Sequence, residues 1–179
     1  MKIYTRRGDD GTTSLRAGGR VDKSSAVVEV LGALDEAQAA LGVARAASTR
    51  PGTLDELLVG VERDLWVVMA EVAAAPVDTA RPGPRSTVTP EMVAALESAI
   101  DVHAAGRGRI TGFAVPGENR LAAALDFART VVRRAERRLV ALEPANGHVL
   151  AYLNRLSDLC WTLARESEDR HLPAREEGS

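Results

Sequence analysis

Apolar residues recur along this chain at spacings of three and four, and that rhythm sets out its elements. From about Ser25 to Ala47, Leu31, Leu34 and Leu41 mark one stripe of a first helix. Leu54, Leu58, Val61, Leu65, Val68, Val72 and Ala75 then step by four and three alternately, which is the core seam of a second. Thr53 with Glu56 three residues later is a capping-box pattern and predicts where that helix starts. Thr89 followed by Pro90 supplies an N-cap and a proline at the first helical position, so a third helix begins there and runs to about Ala105. The alternating seam returns in a fourth helix as Leu121, Leu125, Ala128, Val132, Ala135, Leu139 and Leu142, and Pro144 ends it. Asn146 or Gly147 opens a fifth that continues to about Glu168.

The segments between these helices are punctuated by glycine and proline. Residues 1–24 are polar and glycine-rich with no helical period, and read as an ordered loop or a disordered tail. Residues 76–89 and 106–118 read as loops, and the charged residues 170–179 as a frayed tail. No internal repeat and no second composition regime appears, so one domain is expected. It is an all-α, five-helix bundle of the ferritin-like up-down type over residues 25–169, its sustained seams implying near-parallel packing.

Composition narrows the function classes. Only six aromatic residues are present, so the core must be built from Leu, Val and Ala, which suits helices. A net charge of -2 gives no overall attraction to nucleic acid or membrane. No apolar run reaches membrane-spanning length, and the first residues lack the apolar stretch of a secretory signal. The single cysteine, Cys160, between Leu159 and Trp161, reads as a small buried hydrophobe and fits a cytoplasmic protein. His103, His148 and His171 are too scattered to ligate a structural zinc. Of 23 basic residues only Lys2 and Lys23 are lysine, which suggests a point-charge role for Lys23 beside a general bias to arginine.

Three segments exceed what a plain bundle requires. In Thr5, Arg6, Arg7, Gly8, Asp9, Asp10, Gly11, Thr12 and Thr13, close glycines allow backbone N–H groups to converge on an anion, and the hydroxyls add donors. The plainer reading is a flexible tail, and the GK[ST] ending of an ordinary P-loop is missing. In the fourth helix Arg129, Arg133, Arg134, Arg137 and Arg138 share ten residues with one acid, Glu136. Positions 129, 133, 136 and 137 fall on one face beside the seam, where arginines meet a carboxylate of another helix or a polyphosphate. A solvated stripe is the bland alternative. The candidate acids lie on the first helix, in Asp35 and Glu36 with Glu29 nearby, Asp35 being expected partly buried. In the fifth helix Asn154, Asp158, Trp161 and Arg165 share a face, either for a ligand or for a buried polar network.

Taken in order from Met1 to about Arg165, these segments resemble the PduO-type ATP:cob(I)alamin adenosyltransferases. The residues that carry the resemblance are the T-x-x-G-D-x-G-T stretch from Thr5, Arg20-Val21-Asp22-Lys23, Val28-Glu29 to Leu34-Asp35-Glu36, Ala128 to Arg137, and Tyr152 to Asp158. The resemblance implies transfer of the 5′-deoxyadenosyl group of ATP to the cobalt of cob(I)alamin, with triphosphate as the other product. It implies a homotrimer with active sites between subunits. ATP would be held by the loop Thr5–Thr13, Lys23, Arg133, Arg134, Glu136, Arg137, Arg138 and Asn154. Mg2+ would sit on the ATP phosphates with Glu136 as candidate protein ligand, and K+ is a second candidate ion.

On the corrinoid side the resemblance implies an Asp35–Arg129 ion pair bridging subunits. Phe113 would displace the lower axial ligand of the cobalt, and Trp161 stands where an aromatic is common. Arg133, Arg129 and Asp35 are the implied catalytic residues. The implied partners are a flavin-type reductase and a B12-dependent enzyme, with neither nucleic acid nor membrane. Glu118 and Asp126 differ from the usual family pattern, and they favour the alternative of a trimer that binds ATP or adenosylcobalamin for delivery without turnover.

Overall fold

The structure is a computed structural model, and it describes residues 3–15, 19–48, 52–74, 87–105, 112–144 and 146–175. Five helices are present among them: α1 (Ala26–Ala47), α2 (Thr53–Ala74), α3 (Pro90–Ala104), α4 (Arg120–Val140) and α5 (Gly147–Ser167). A two-stranded antiparallel hairpin precedes them, β1 (Thr12–Ser14) against β2 (Arg20–Asp22), with Thr13 opposite Val21. The sequence pattern did not predict these strands, because three residues are too few to show a period of two.

Three of the five helix starts follow their capping chemistry, while α1 begins after Ser25 with no side-chain cap bond. The Thr89 side chain accepts from the Met92 N–H, and Pro90 begins α3. Asn119 accepts from Ala122 and Asn146 from His148, which closes the first turns of α4 and α5. At α2 the expected capping box is absent. Thr53 is already helical, and the carbonyl of Gly52 accepts the N–H of Glu56. Gly52 has φ of 138°, a conformation open to a residue without Cβ, so the chain turns into the helix one residue early.

The helices pack in the order α2, α1, α4, α5, α3, with α4 at the centre. α1 presents Ala33, Leu34, Ala37, Leu41 and Ala44, and α4 presents Ala122, Leu125, Ala128, Val132, Ala135 and Leu139, all buried. Alanines alternating with leucines on both faces let these two helices approach closely while their larger neighbours interdigitate. The α2 seam is buried from Leu58 to Val72, while its last expected member, Ala75, lies outside the described residues. Leu15 and Val21 attach the hairpin to the same core.

Polar ties fix the ends. Arg45 bonds Asp55 and Glu62 at 2.9 Å each, which holds the α1–α2 corner. The buried Tyr152 hydroxyl donates to Asp64 at 3.0 Å, linking α5 to α2. The C-terminal tail, expected to fray over 170–179, is tied down as far as Ala174. Val115 N–H donates to Leu172 at 2.8 Å, and Ala174 N–H donates to Phe113 at 2.7 Å. Backbone donors in both segments need partners, and each segment supplies them to the other.

Candidate active site

Residues Thr5 to Thr13 form a wound loop whose bonds are internal to it and the hairpin. Asp9 N–H reaches the Arg6 carbonyl and Gly11 N–H reaches the Gly8 carbonyl, giving two successive turns. Gly11 sits at φ of 82°, which favours glycine. A Cβ on Gly8 would lie 3.2 Å from Lys23 Nζ, and that ammonium donates to the Gly8 carbonyl at 2.7 Å. Lys23 therefore closes the loop as the compact point charge its rarity suggested.

Arg20 is the second clasp, donating to the Arg7 carbonyl at 2.6 Å and to both oxygens of Asp10 at 3.0 and 3.1 Å. It also contacts Thr12 Oγ1. Hydrogen bonds from Thr12, followed by the nearby Arg20 charge, hold the Asp10 carboxyl below its ordinary value of 3.8. Only the order of residues around Lys23 had drawn attention to Arg20. Its role could not be read locally, because it depends on β2 pairing with β1.

The arginine helix divides into engaged and open side chains. Arg134 pairs with Glu36 at 2.5 Å and Arg138 with Glu29 at 2.6 Å, so the acids do come from α1 as expected. Asp35 is not among them. It is exposed and makes no ion pair among the described residues, because α1 buries the adjacent Leu34 and turns Asp35 outward. The expected partial burial of Asp35 is corrected. Arg133 is exposed, and its guanidinium meets no carboxylate among the described residues. Arg137 donates to the Arg133 carbonyl at 3.2 Å. Glu136 accepts from Asn154 at 3.0 Å, which brings the α4 and α5 candidates together. Asn154 also accepts from Arg155. No hydrogen bond or ion pair joins residues 5–13 to α4 or α5 among the described residues.

One turn before Arg133 on α4, Arg129 donates through Nε to Asp126 at 3.2 Å and is not paired with Asp35 within the chain. Asp126 is only 4% exposed and also accepts from Arg165 at 2.5 Å. Arg165 in turn pairs with Glu168 at 2.8 Å, and its guanidinium lies over the Trp161 ring, 5.9 Å from the centroid. The polar face of α5 is thus in part a buried network. Sequence reading had placed Arg165 on that face, but it missed Glu168, which looked like a helix-end charge. Trp161 also borders an open pocket between α3 and α5 with Glu97, Asp101 and Asp158. Phe113 is 85% exposed on the loop bonded to the tail. Glu118 accepts from Asn119 and from the Asp169 N–H, joining the start of α4 to the end of α5. Cys160 is buried and its thiol is pushed up to about 12 by desolvation, as befits an inert core residue. No group of three or more His, Cys, Asp or Glu side chains suited to a metal is present among the described residues. No described helix is long and apolar enough to cross a membrane.

Fold and charge layout define a helical bundle with an arginine-rich helix and a separate glycine-turn loop. The sequence model of cobalamin adenosyltransferases matches residues 3–167, and the chain belongs to that family. It is 43% identical, over 96% of its length, to the corrinoid adenosyltransferase PduO of Citrobacter freundii, and it spans 51% of that relative. The chain therefore covers about half of the PduO proteins it matches. It is 41% identical, over 92% of its length, to a corrinoid adenosyltransferase of Bacillus subtilis, of which it covers 86%. A variant PduO-type ATP:corrinoid adenosyltransferase from Lactobacillus reuteri, complexed with cobalamin and ATP, superimposes with a TM-score of 0.88 at 29% identity. That alignment covers 98% of this chain and 97% of the other.

Proposed function

We propose that this chain transfers the 5′-deoxyadenosyl group of ATP to the cobalt of cob(I)alamin, forming adenosylcobalamin and releasing triphosphate. Family membership across nearly the whole chain supports this reading. The observation that carries it is Arg133, an exposed guanidinium that meets no carboxylate on a helix whose neighbouring Arg134 and Arg138 are engaged by glutamates. Such a group is available to a polyanion. In the reaction, the cobalt electron pair forms a Co–C bond to C5′ while the C5′–O bond breaks, and its electrons leave with triphosphate. The nucleophile is the corrinoid, so the protein's task is to orient C5′ and to stabilise the leaving charge.

In this reading Thr5 to Thr13 wraps the triphosphate with Lys23, and Arg133, Arg137 and Asn154 meet it from α4 and α5. Arg134 and Arg138 contribute if ATP takes them from Glu36 and Glu29. Mg2+ enters on the ATP phosphates; Glu136, turned toward Asn154, is the protein carboxylate on that face.

Phe113, Arg129, Asp35 and Trp161 serve the corrinoid. The loop makes no bond to Arg133 among the described residues, nor Asp35 to Arg129, which supports a site completed by a second subunit, in a homotrimer. The remaining organisation follows the same reading: residues 1–24 as the nucleotide loop, 25–169 as the bundle and 170–179 as the tail. The setting is cytoplasmic, with a flavin-type reductase supplying the electron and a B12-dependent enzyme taking the product. Glu118 and Asp126, which differ from the usual family pattern, both have bonding partners within the fold.

The decisive experiment mixes the protein with MgATP and chemically reduced cob(I)alamin and follows adenosylcobalamin by absorbance. Product accumulating over many turnovers is expected. ATP binding without product would overturn the assignment, and a mass in solution other than three subunits would overturn the trimer.

A further inference from the structure

A carboxylate buried beside a substrate-facing arginine controls where that arginine can point. Asp126 is 4% exposed and carries both of its oxygens in ion pairs, Oδ1 to Arg129 Nε and Oδ2 to Arg165 Nη2. Arg165 cannot drift, since its side chain is 3% exposed and Glu168, 1% exposed, holds it from the other side at 2.8 Å. The Asp126 carboxylate is therefore anchored from within the bundle. Its free choice is reduced to a single outward bond.

That bond goes to Nε of Arg129, one turn further along α4. An arginine carries five N–H groups, and a grip at Nε leaves the four on the two terminal nitrogens unused. The Arg129 side chain is 28% exposed, and no further bond of its guanidinium is made among the described residues. The anchor also reaches a second member of the same end of the site: Arg165, which holds Asp126, lies over the Trp161 ring.

We propose that Asp126 is the positioning residue of the corrinoid end, holding Arg129 so that its terminal nitrogens are presented to cobalamin or to the neighbouring subunit's acid. The proposal rests on the reading that Arg129 serves the corrinoid. Asp126 lies behind Arg129, and the effect proposed for it is the one passed through Arg129. Removing the charge leaves Arg129 attached at the backbone but free to sample other rotamers, which weakens cobalamin binding without disturbing the triphosphate end.

The test compares steady-state KM values for cob(I)alamin and for ATP in four variants. Asp126→Asn is expected to raise the cob(I)alamin KM on the order of tenfold, the scale on which residues holding a binding group act. The ATP KM stays near wild type. Arg129→Ala shifts the cob(I)alamin KM in the same direction, and the double variant is no worse than Arg129→Ala. Asp126→Glu, which keeps the charge, recovers most of the loss. KM does not depend on the folded fraction, and if Asp126→Asn cannot be recovered folded, Asp126→Glu measured alone and combined with Arg129→Ala carries the same comparison: the added methylene gives a small rise in KM that vanishes in the double variant. A normal cob(I)alamin KM in the Asp126 variants, with a raised one in Arg129→Ala, would overturn the positioning role. So would a double variant whose losses add, or an ATP KM that rises in parallel. A normal cob(I)alamin KM in Arg129→Ala instead removes the underlying reading of Arg129, and the proposal with it.

Discussion

The two ends of α4 use the same residue types in opposite ways. Toward its C-terminus, Arg134 pairs with Glu36 and Arg138 with Glu29, and these side chains remain 36–58% exposed. Toward its N-terminus, Asp126 and Arg165 pair at 4% and 3% exposure, with Glu168 behind them. Pairs in contact with water are worth about 0–1 kcal/mol, because the solvent already satisfies both charges and side-chain entropy opposes the contact. A ligand with more charge can take such an arginine from its partner. In a buried pair neither member can be released without stranding the other. Charge that a ligand can take lies toward one end, and charge locked in place lies toward the other.

Four experiments break or sharpen that comparison. The largest effect is expected for Arg165→Ala, which removes the arginine shared by two buried carboxylates and costs about 3–5 kcal/mol of stability in urea unfolding. A loss below about 1 kcal/mol would mean the buried cluster behaves like a surface pair. Next comes Arg133→Ala, which removes the open guanidinium and lowers turnover on the order of a hundredfold, the scale for losing one donor to developing charge. Rates near wild type would reject its role.

A smaller effect, at most about 1 kcal/mol and declining with added salt, is expected for Glu36→Gln. Should it match Arg165→Ala, the distinction between the two ends collapses.

The smallest effect concerns Asp64. Burial holds its carboxyl above the ordinary 3.8, although the hydroxyl of Tyr152 donating to it works the other way. The folded chain keeps this proton to higher pH than the unfolded chain does. The resulting stability is fully present below 3.8 and is lost as pH rises through the raised value. Thermal melts across mildly acidic pH should show a flatter profile for Asp64→Asn than for wild type; parallel profiles would remove Asp64 from the account.

Much of the bundle was legible because long seams repeat their signal. Leu58 to Val72 and Leu125 to Leu139 each show several turns of the same spacing, and every seam residue in those spans is buried. The acids opposing the arginine helix were legible as a group, through Glu29 and Glu36, but not their assignment. Asp35 and Glu36 are adjacent, and only the rotation of α1 decides which faces α4. Features created by distant pairing were not legible. The hairpin that lets Arg20 clasp Asp10 and the tail segment bonded to Phe113 and Val115 leave no periodic trace. Asp126 was visible only as an unusual residue. Its meaning required Arg165, 39 residues away, to be placed beside it.

Cys160 is the only cysteine of the chain, and it lies in the same packed layer as Asp126 and Arg129, whose charges it senses. A thiol sealed in that way is a clock. Its alkylation rate counts how often α5 lifts from α4, with no label added and no other sulfhydryl to confuse the reading. A corrinoid that clamps this end should slow the clock, whereas a nucleotide at the far end of α4 should leave it running.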